Sequence, residues 1–281
     1  MDATAPRIGE RRVHVALLGH ERDRIVEPLR RHRADVAYLL ADAPGRTADA
    51  GSVDFGADWS DEAVSPVDWD DRPDYHRSVR REIDDFADVR GLPVRLDDVY
   101  DVMGVTTTVA ARHGAGSEGG DRLFVNVSTG PPVAVVGAAI ACMAVGARPY
   151  AVEPAERLHD VDRTPLTRGV ADVVDLPIYP IDAPTEDQVA VLGRLHERAA
   201  ANRTTDKWNL IEWAEAAELA FLADVGDSRT ARYRALESRV LAPLLDRGYV
   251  ELESVGRSDN VSLTDTGRKV YFAFEHELHG D

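Results

Sequence analysis

The chain has 281 residues, enough for one full α/β domain and a smaller second domain. Its 33 basic and 50 acidic residues give a formal net charge of −17, which excludes a surface coated in positive charge for indiscriminate binding to nucleic acid or anionic membranes. The single cysteine, Cys142, excludes an internal disulfide, and no segment reaches the roughly 20 apolar residues that span a bilayer. We therefore expect a soluble, cytoplasmic protein with no membrane partner.

The cations are almost all arginine. Lys207 and Lys269 are the only lysines, and the other 31 of the 33 basic residues are Arg. An acidic, lysine-poor composition is typical of proteins from salt-loving cells, where salt near 1 M screens exposed charges within about 3 Å. An ordinary acidic protein encoded by a GC-rich genome is the alternative interpretation.

The chain opens with a β-α-β pattern. Residues 13–18 form a β-rich run, 21–32 have the apolar spacing of a helix, and 35–40 form a second apolar run. Two strands joined through a helix pair in parallel. The stretch 41–71 that follows is rich in Asp, Gly, Ala and Pro, and we interpret it as a solvated acidic insertion rather than a functional flap.

The alternation of strands and helices then continues. Helices are predicted at 75–89 and 99–111, and strands at 92–96, 123–127, 148–152 and 172–179. Five or six strands alternating with helices predict an α/β domain with a doubly wound, mostly parallel sheet, which we assign to residues 10–182.

The most informative segment joins a strand to a helix. It reads Leu123-Phe-Val-Asn-Val-Ser-Thr-Gly-Pro-Pro132 and continues into small apolar residues as far as Val145. Hydroxyls, a flexible glycine and helix N-terminal amides at a strand end are the groups that an α/β fold uses to hold an anion. We therefore predict a ligand site that includes Asn126, Ser128, Thr129, Gly130 and Pro131.

The end of the first strand adds to this site. Gly19, His20, Glu21 and Arg22 follow that strand, and in a parallel sheet they lie at the same edge as Ser128. They supply the cation that the turn itself lacks. The alternatives are a helix cap that binds nothing and an ordinary exposed loop histidine.

The turn departs from known nucleotide-binding loops. It matches neither G-x-G-x-x-G nor G-x-x-x-x-G-K-[ST], and Pro131 and Pro132 remove two amides that would face an anion. A hydrolytic site would need a base beside Ser128, and His20 belongs to a different strand end. We therefore predict no catalytic residue, no cofactor and no metal site.

A cluster of prolines at 177–184 marks a break, after which the pattern changes. Helices are predicted at 186–201, 208–222 and 229–244, a β-hairpin at 249–263, and a last helix capped by Thr264. The order helix, helix, helix, hairpin, helix resembles a winged helix-turn-helix. We assign this α+β domain to residues 186–281.

Arginines mark the third of these helices as a candidate DNA-binding element. Residues 186–281 hold 12 Lys and Arg against 18 Asp and Glu, a net charge of −6, yet 229–239 hold four Arg and one Glu. A helix about 10–12 Å in diameter fits the major groove of double-stranded DNA, and the hairpin lies on the backbone beside it. The predicted DNA-binding residues are Arg229, Arg232, Arg234 and Arg239 in the helix and Arg257 in the wing.

Within that set, Arg229 and Arg232 are expected to approach base edges, and Arg257 to meet phosphate or the minor groove. Arginines that are merely solvated or paired with neighbouring Glu are one alternative. A winged helix that binds another protein is a second.

Taken together, these segments resemble one family. The β-α-β start with Gly-His-Glu-Arg at 19–22, the Asn-Val-Ser-Thr-Gly turn at 126–130, the Pro-Tyr strand at 149–150 and the C-terminal winged helix look like CARF (CRISPR-associated Rossmann fold) transcriptional regulators. The similarity spans nearly the whole chain apart from the insertion. It implies a Rossmann-like domain that forms a homodimer with one pocket across the two-fold axis, where a cyclic oligoadenylate binds and alters the DNA-binding domains. The residues that the resemblance assigns to the pocket are Gly19, His20, Glu21, Ser128, Thr129 and Gly130.

One departure and one supporting feature accompany the resemblance. Many relatives have Gly-x-Lys after the turn, whereas this chain has Pro131-Pro132-Val133 and so lacks a phosphate partner. The helix at 133–145 is apolar on every side and rich in Gly and Ala, which favours a partner subunit as its second cover. We predict a ligand-responsive DNA-binding regulator. The alternatives are an enzyme that cleaves cyclic oligonucleotides and an adaptor that binds protein instead of DNA.

Overall fold

The computed structural model describes residues 10–43, 67–116, 119–158, 167–178, 182–226, 228–255, 258–275 and 278. The chain divides into two compact units, Met1–Asp182 and Ala183–Asp281, each described by itself below. Within the described ranges, every helix is too short or too polar to cross a lipid bilayer.

The first unit is built on a six-stranded sheet. Its strands are β1 (Arg12–Leu17), β2 (Val36–Asp42), β3 (Asp88–Val94), β4 (Arg122–Asn126), β5 (Arg148–Glu153) and β8 (Asp172–Asp175), and a separate two-stranded ribbon consists of β6 (Glu156–Arg157) and β7 (Thr167–Arg168). The order in the sheet is β3-β2-β1-β4-β5-β8, with β8 antiparallel to β5 and all other pairs parallel. The predicted mostly parallel α/β sheet is confirmed.

Helices cover both faces of this sheet. They are α1 (Arg22–Arg31), α2 (Asp74–Asp84), α3 (Val99–Arg112) and α4 (Pro132–Val145). Alternate residues of β1 lie on opposite faces of the sheet. Val13 and Val15 lie in the core under α3 and α4, whereas Ala16 lies in the core under α1 and α2. A strand buried on both sides is mostly apolar, and four of the six residues of β1 are apolar.

The connections place the two predicted loops side by side. After β1 the chain enters α1 on one face, and after the neighbouring strand β4 it enters α4 on the opposite face. The switch point of the sheet therefore lies between the carboxyl ends of β1 and β4, where open α/β sheets leave a crevice.

Two predicted boundaries in the first unit were wrong. The helix expected at 75–89 ends at Asp84, because residues 88–94 pair with β2 as strand β3. The insertion expected at 41–71 is shorter at both ends: β2 extends to Asp42, and Val67 and Trp69 are buried against Gly91, where a Cβ would lie 2.5 Å from the Trp69 ring. Residues 44–66 lie outside the described part of the chain.

The second unit has the predicted winged-helix order. Its helices are α5 (Glu186–Ala200), α6 (Lys207–Ala216), α7 (Arg229–Ala235), α8 (Ala242–Asp246) and α9 (Asp265–Phe274), and its hairpin consists of β9 (Val250–Val255) and β10 (Ser258–Leu263). A π-helical turn, Leu236–Leu241, joins α7 to α8, so that residues 229–246 form one composite helix. The helix expected at 208–222 instead ends at Ala216, and a 3₁₀ turn follows at Ala220–Leu222.

Side-chain caps define several helix starts in this unit. Thr185 and Gln188 form a reciprocal capping box at α5, and Asp206 caps α6. The hydroxyl of Thr264 accepts the Gly267 N–H at 3.0 Å, which confirms the predicted start of α9. An isolated bridge between Asp206 and Asn260 ties the start of α6 to the hairpin.

Candidate functional site

The polar side chains of the turn after β4 are engaged with main chain. The buried Asn126 accepts the Ser128 N–H at 3.0 Å and donates to the Arg24 carbonyl at 2.7 Å. The Ser128 hydroxyl accepts the Val152 N–H at 2.5 Å. These contacts fix the turn against α1 and β5, so Asn126 and Ser128 hold the backbone in shape.

Thr129 and Gly130 bring this turn into contact with β1. The Thr129 hydroxyl donates to the Leu17 carbonyl at 2.7 Å. Gly130 has φ +82°, and a Cβ at Gly19 would lie 2.7 Å from the Gly130 nitrogen. Only glycine permits this approach without strain. Within the described residues, the N–H groups of Thr129 and Gly130 donate to no oxygen, which leaves two main-chain donors at the switch point.

The charged residues after β1 are paired. The guanidinium of Arg22 lies 2.7 Å from the Asp23 carboxylate and also contacts Glu82. Glu21 accepts the hydroxyl of Thr167, from the ribbon that follows β5. The cation that the sequence assigned to this edge is therefore neutralised by two carboxylates, and its main effect is to join α1 to α2.

His20 is exposed and lies against α2 rather than against the β4 turn. Its ring centroid is 6.2 Å from that of Tyr75 and 5.9 Å from that of His76. Burial, followed by His20 and Arg72, lowers the pKa of His76, and burial raises the pKa of Tyr75. In the described part of the chain no hydrogen bond links His20 to Ser128, so the structure shows no base beside that hydroxyl.

Tyr75 and His76 were absent from the predicted site. They open α2, which follows the acidic insertion, so nothing in their local sequence connects them with the end of β1. Only the parallel register of β1 and β2 brings α2 to this edge. No cluster of three or more His, Cys, Asp or Glu in the described ranges could hold a metal ion.

A buried histidine cluster occupies the interior of the same unit. His14 is fully buried, stacks on Phe124 at 4.9 Å, and lies 3.3 Å from the Tyr150 hydroxyl through Nδ1. Burial, helped by His32 and Arg12, lowers the pKa of His14 to about 3. His14 is therefore neutral in the folded protein at physiological pH, and its protonation opposes folding.

Helix α4 has one packed side and one open side. A Cβ at Gly137 would lie 2.7 Å from the Val99 carbonyl, so α4 and α3 are in close contact there. The small residues of α4, which were expected to favour a partner subunit, therefore pack against α3. Pro131 is exposed at the N-cap of α4. On the other side, Val133 is 41% and Val136 50% exposed. The open apolar side of α4 is this pair of valines.

In the second unit, two of the predicted arginines are held by carboxylates. The Arg239 guanidinium binds Asp224 through two hydrogen bonds of 2.5 and 3.1 Å and also the Phe221 carbonyl. Arg232 pairs with Glu215 at 2.7 Å. Both side chains brace the composite helix against the segments that precede it.

The other two arginines of the composite helix have no carboxylate partner among the described residues. The Arg229 guanidinium lies 4.3 Å from the centroid of the Trp208 ring and 5.7 Å from that of Tyr233, at cation-π distance from both. Arg234 is exposed one turn further on. Arg257 lies outside the described residues.

A cleft of about 430 Å³ adjoins Arg229. It is lined by Asp206, Lys207, Trp208, Arg229, Tyr233, Glu237 and Asp259. Lys207 binds Glu237 at 2.8 Å and Asp259 at 3.0 Å, so it links α6, the composite helix and the hairpin. Asp206, Glu237 and Asp259 thus line the same cleft as Arg229.

The fold and these sites define a class of protein: a Rossmann-like α/β domain whose switch point carries free main-chain donors, followed by a winged helix whose third helix presents arginines. Two family models match the chain. One, described as "HFX_2341_N:-like, N-terminal", matches residues 12–157, and the other, described as "DUF6293 C-terminal winged helix domain", matches residues 187–275. The chain belongs to the HFX_2341_N-like family, and the predicted order of a Rossmann-like domain followed by a C-terminal winged helix is confirmed.

Other comparisons give remote similarity. No curated protein matches the chain by sequence. Among solved structures, Can2 from Sulfobacillus thermosulfidooxidans in complex with cyclic tetra-adenylate has 11% identity and a TM-score of 0.37, over 95% of this chain and 66% of that chain. Csm6 from Enterococcus italicus bound to cyclic hexa-2′-fluoro-hexa-dAMP has 11% identity and a TM-score of 0.35, over 85% of this chain and 56% of that chain. The present chain spans less than two thirds of each.

Proposed function

We propose that this protein is a ligand-responsive transcriptional regulator. Its α/β unit binds a cyclic oligoadenylate in a pocket shared by two subunits, and its winged helix binds double-stranded DNA. The ligand favours one arrangement of the dimer through its own differential affinity, with a coupling typically of about 1–3 kcal/mol.

The observation that carries the proposal is the contrast among the arginines of the composite helix. Arg229 and Arg234 lack carboxylate partners among the described residues, whereas Arg232 and Arg239 are paired. Aromatic support reduces the rotamer entropy that Arg229 loses when it meets DNA. We therefore assign contact with DNA to Arg229 and Arg234 and a bracing role to the other two.

The DNA-binding half is tested by selecting bound fragments from genomic DNA and measuring their affinity by fluorescence anisotropy across a salt series. We expect Arg229→Ala to weaken binding and to reduce the slope of log K against log salt by about 1. Arg239→Ala is the matched control and should leave the slope unchanged. Absence of any enriched fragment, or equal slopes for both variants, would overturn the assignment.

The ligand-binding half draws on the unused N–H groups of Thr129 and Gly130. Two such donors at a switch point suit a phosphodiester oxygen. Calorimetric titration with cyclic tetra-adenylate and cyclic hexa-adenylate in molar potassium chloride, chosen for the lysine-poor composition, should show one ligand per dimer for one of the two rings. Absence of heat and of any shift in Tm for both rings would refute this ligand class.

The dimer is tested on the open side of α4. The chain has a mass of 30.8 kDa, and light scattering at working salt should give twice that mass. Val136→Glu places a charge at a side chain that is 50% exposed, and we expect it to shift the protein towards monomer. Leu252→Glu, at a residue 39% exposed in the hairpin, is the matched control. A monomeric wild-type protein would remove the shared pocket from the proposal.

A further inference from the structure

Buried polar atoms without a partner concentrate at one place in the first unit. In the described residues, six buried side-chain nitrogen or oxygen atoms make no hydrogen bond, and three of them belong to Tyr75 and His76: the tyrosine hydroxyl and both imidazole nitrogens. Native proteins leave few such groups without a partner, so a cluster of them marks a place where water or a polar ligand binds. Of the other three, two lie on the neighbouring His14 and His32 in the interior of the unit, and the third lies on Arg95.

These three atoms lie beside the predicted pocket. The His76 and His20 rings are 5.9 Å apart and tilted by 32°, and the Tyr75 ring lies 5.8 Å from that of His76. His76 also faces the Gly19 main chain, and Gly19 touches Gly130. The cluster of His20, Tyr75 and His76 is therefore separated from the β4 turn only by the Gly19 main chain.

We propose that His20, Tyr75 and His76 form a phosphate subsite, in which two imidazolium rings and a phenol bind one phosphodiester group of the ligand. The inference rests on the proposed function and extends it by adding Tyr75 and His76, two residues outside the family motifs, to His20. It also supplies the phosphate partner that Pro131-Pro132-Val133 fails to provide.

The chemistry of the three side chains fits a phosphate oxygen. A protonated imidazole is a cation with two N–H donors, and the phenol adds an O–H donor. Together the three side chains can therefore bind a phosphate without a lysine. The His20 ring is exposed and lies 5.9 Å from that of His76, so rotamer changes on the picosecond to nanosecond timescale let it adjust to a ligand bound there. Contact with phosphate would then engage the Tyr75 hydroxyl and one ring nitrogen of His76, whose other side faces the Gly19 main chain.

The imidazoles supply the positive charge of the cluster, because the neighbouring arginines bind other groups. Arg72 lies before α2 and donates to the Asp42 carbonyl, and Arg22 is paired with Asp23 and Glu82. Glu21 is the remaining acidic neighbour. Because imidazole is the side chain that ordinarily changes charge between pH 6 and 8, binding in that range should take up protons on His20 and His76.

The first experiment follows the imidazole signals of the whole protein by NMR while inorganic pyrophosphate is added. We expect the signals of His20 and His76 to move and their titration midpoints to rise by at least half a pH unit, while that of His196 in the second unit stays fixed. Unmoved His20 and His76 signals at saturating pyrophosphate would overturn the phosphate subsite.

The second experiment measures the affinity for cyclic tetra-adenylate at pH 6 and pH 8 in two buffers of different ionisation enthalpy. Wild-type protein should bind about tenfold more tightly at pH 6, with net proton uptake. His76→Gln should lose most of this pH dependence, and His196→Gln should keep it. Circular dichroism and the Tm establish that both variants are folded.

The outcomes separate the two proposals. Binding of cyclic tetra-adenylate with equal affinity and equal pH dependence in wild type and His76→Gln refutes the subsite and leaves the proposed function standing. Shifted imidazole signals with pyrophosphate but no binding of cyclic tetra-adenylate support the subsite and refute that ligand.

Discussion

The loops at the switch point and the composite helix use their polar side chains in opposite ways. Around β1 and β4, the amide of Asn126 and the hydroxyls of Ser128 and Thr129 bind main chain, and the groups left free are backbone N–H donors. In the composite helix, Arg232 and Arg239 bind carboxylates and Arg229 lies on aromatic rings, and the groups without a carboxylate partner in the described part of the chain are the side chains of Arg229 and Arg234.

This difference shows what each sequence pattern encodes. The Asn-Val-Ser-Thr-Gly segment specifies the shape of a turn, so its residues act on a ligand through the backbone that they hold. The arginine pattern specifies candidates only, because the spatial neighbours of each arginine decide which one is available. Substitutions in the first region should therefore cost stability, and those in the second should leave it nearly unchanged.

Acid should expose the largest difference between the units. The pKa of His14 falls from its ordinary 6.5 to about 3 on folding, so its contribution to stability is present above pH 6.5 and is lost as the pH falls towards 3. At about 1.4 kcal/mol per pH unit, the loss is on the order of 4 kcal/mol for the first unit. The protein is equilibrated with urea at each pH and then given a short pulse of hydrogen exchange at one fixed pH. Protection of the amides of β1 in that pulse reports the folded fraction of the first unit.

The control is His14→Gln, which should flatten that dependence although it is less stable at neutral pH because the stacking on Phe124 is lost. His196→Gln, in the second unit, should retain the wild-type slope for β1. Parallel curves for wild type and His14→Gln would contradict the assignment of acid sensitivity to His14.

The contact between the two loops should give the next largest effect. Gly130→Ala places a side chain at φ +82°, 2.9 Å from the Leu17 Cβ, and should lower the free energy of unfolding of the first unit by about 2 kcal/mol. Gly226→Ala is the control, because a Cβ there meets nothing within 4 Å, and its effect should stay within about 0.5 kcal/mol. Equal urea midpoints for the two variants would show that the loops yield without strain.

A smaller effect is expected from a single hydroxyl. Thr129→Val keeps the side-chain volume but leaves the Leu17 carbonyl without its 2.7 Å donor, which should cost about 1–2 kcal/mol in a urea titration. A Thr129→Ser variant retains the hydroxyl and should recover part of the loss. No recovery would mean that packing, not the hydrogen bond, holds the turn.

The smallest effect belongs to the composite helix. Arg232→Ala removes a partly exposed ion pair with Glu215 and should change the free energy of unfolding of the second unit by about 0.5 kcal/mol or less. Its urea midpoint should match that of wild type within error. If Arg232→Ala lowered the free energy of unfolding as much as Thr129→Val does, the proposed difference in stability effects between the two regions would be contradicted.

Local patterns sufficed for most of the fold. The β-α-β start, the helix after the β4 turn and the Thr264 cap were predictable because apolar periodicity and capping chemistry act within a few residues. The end of α2 was not, since the residues after Asp84 keep helical spacing and become a strand only through pairing with β2. The ribbon formed by β6 and β7 was also missed, because two-residue strands carry no periodicity.

The candidate sites were harder to predict than the fold. The sequence located the two loops correctly at one edge of the sheet, but it could not show that Arg22 is neutralised by Glu82 across 60 residues of chain. It also gave no reason to place Tyr75 and His76 beside His20, since an insertion separates them. Contacts between loops at the sheet edge depend on the register in which the strands pair, and a local sequence motif does not determine that register.

The π-helical turn in the composite helix bears on how this helix tolerates changes in length. A π turn closes i→i+5 hydrogen bonds and accommodates one residue more than an α-helical turn. Deletion of one residue from Leu236–Leu241 would convert the wide turn into a regular α-helical turn and keep the segments on either side in nearly the same rotational register, so Arg229 would stay on the rings of Trp208 and Tyr233. Deletion of one residue within Arg229–Ala235 would instead rotate the residues before it by about 100° relative to the buried Leu244. The composite helix thus tolerates the loss of one residue in its π turn but not in the α-helical turns before it.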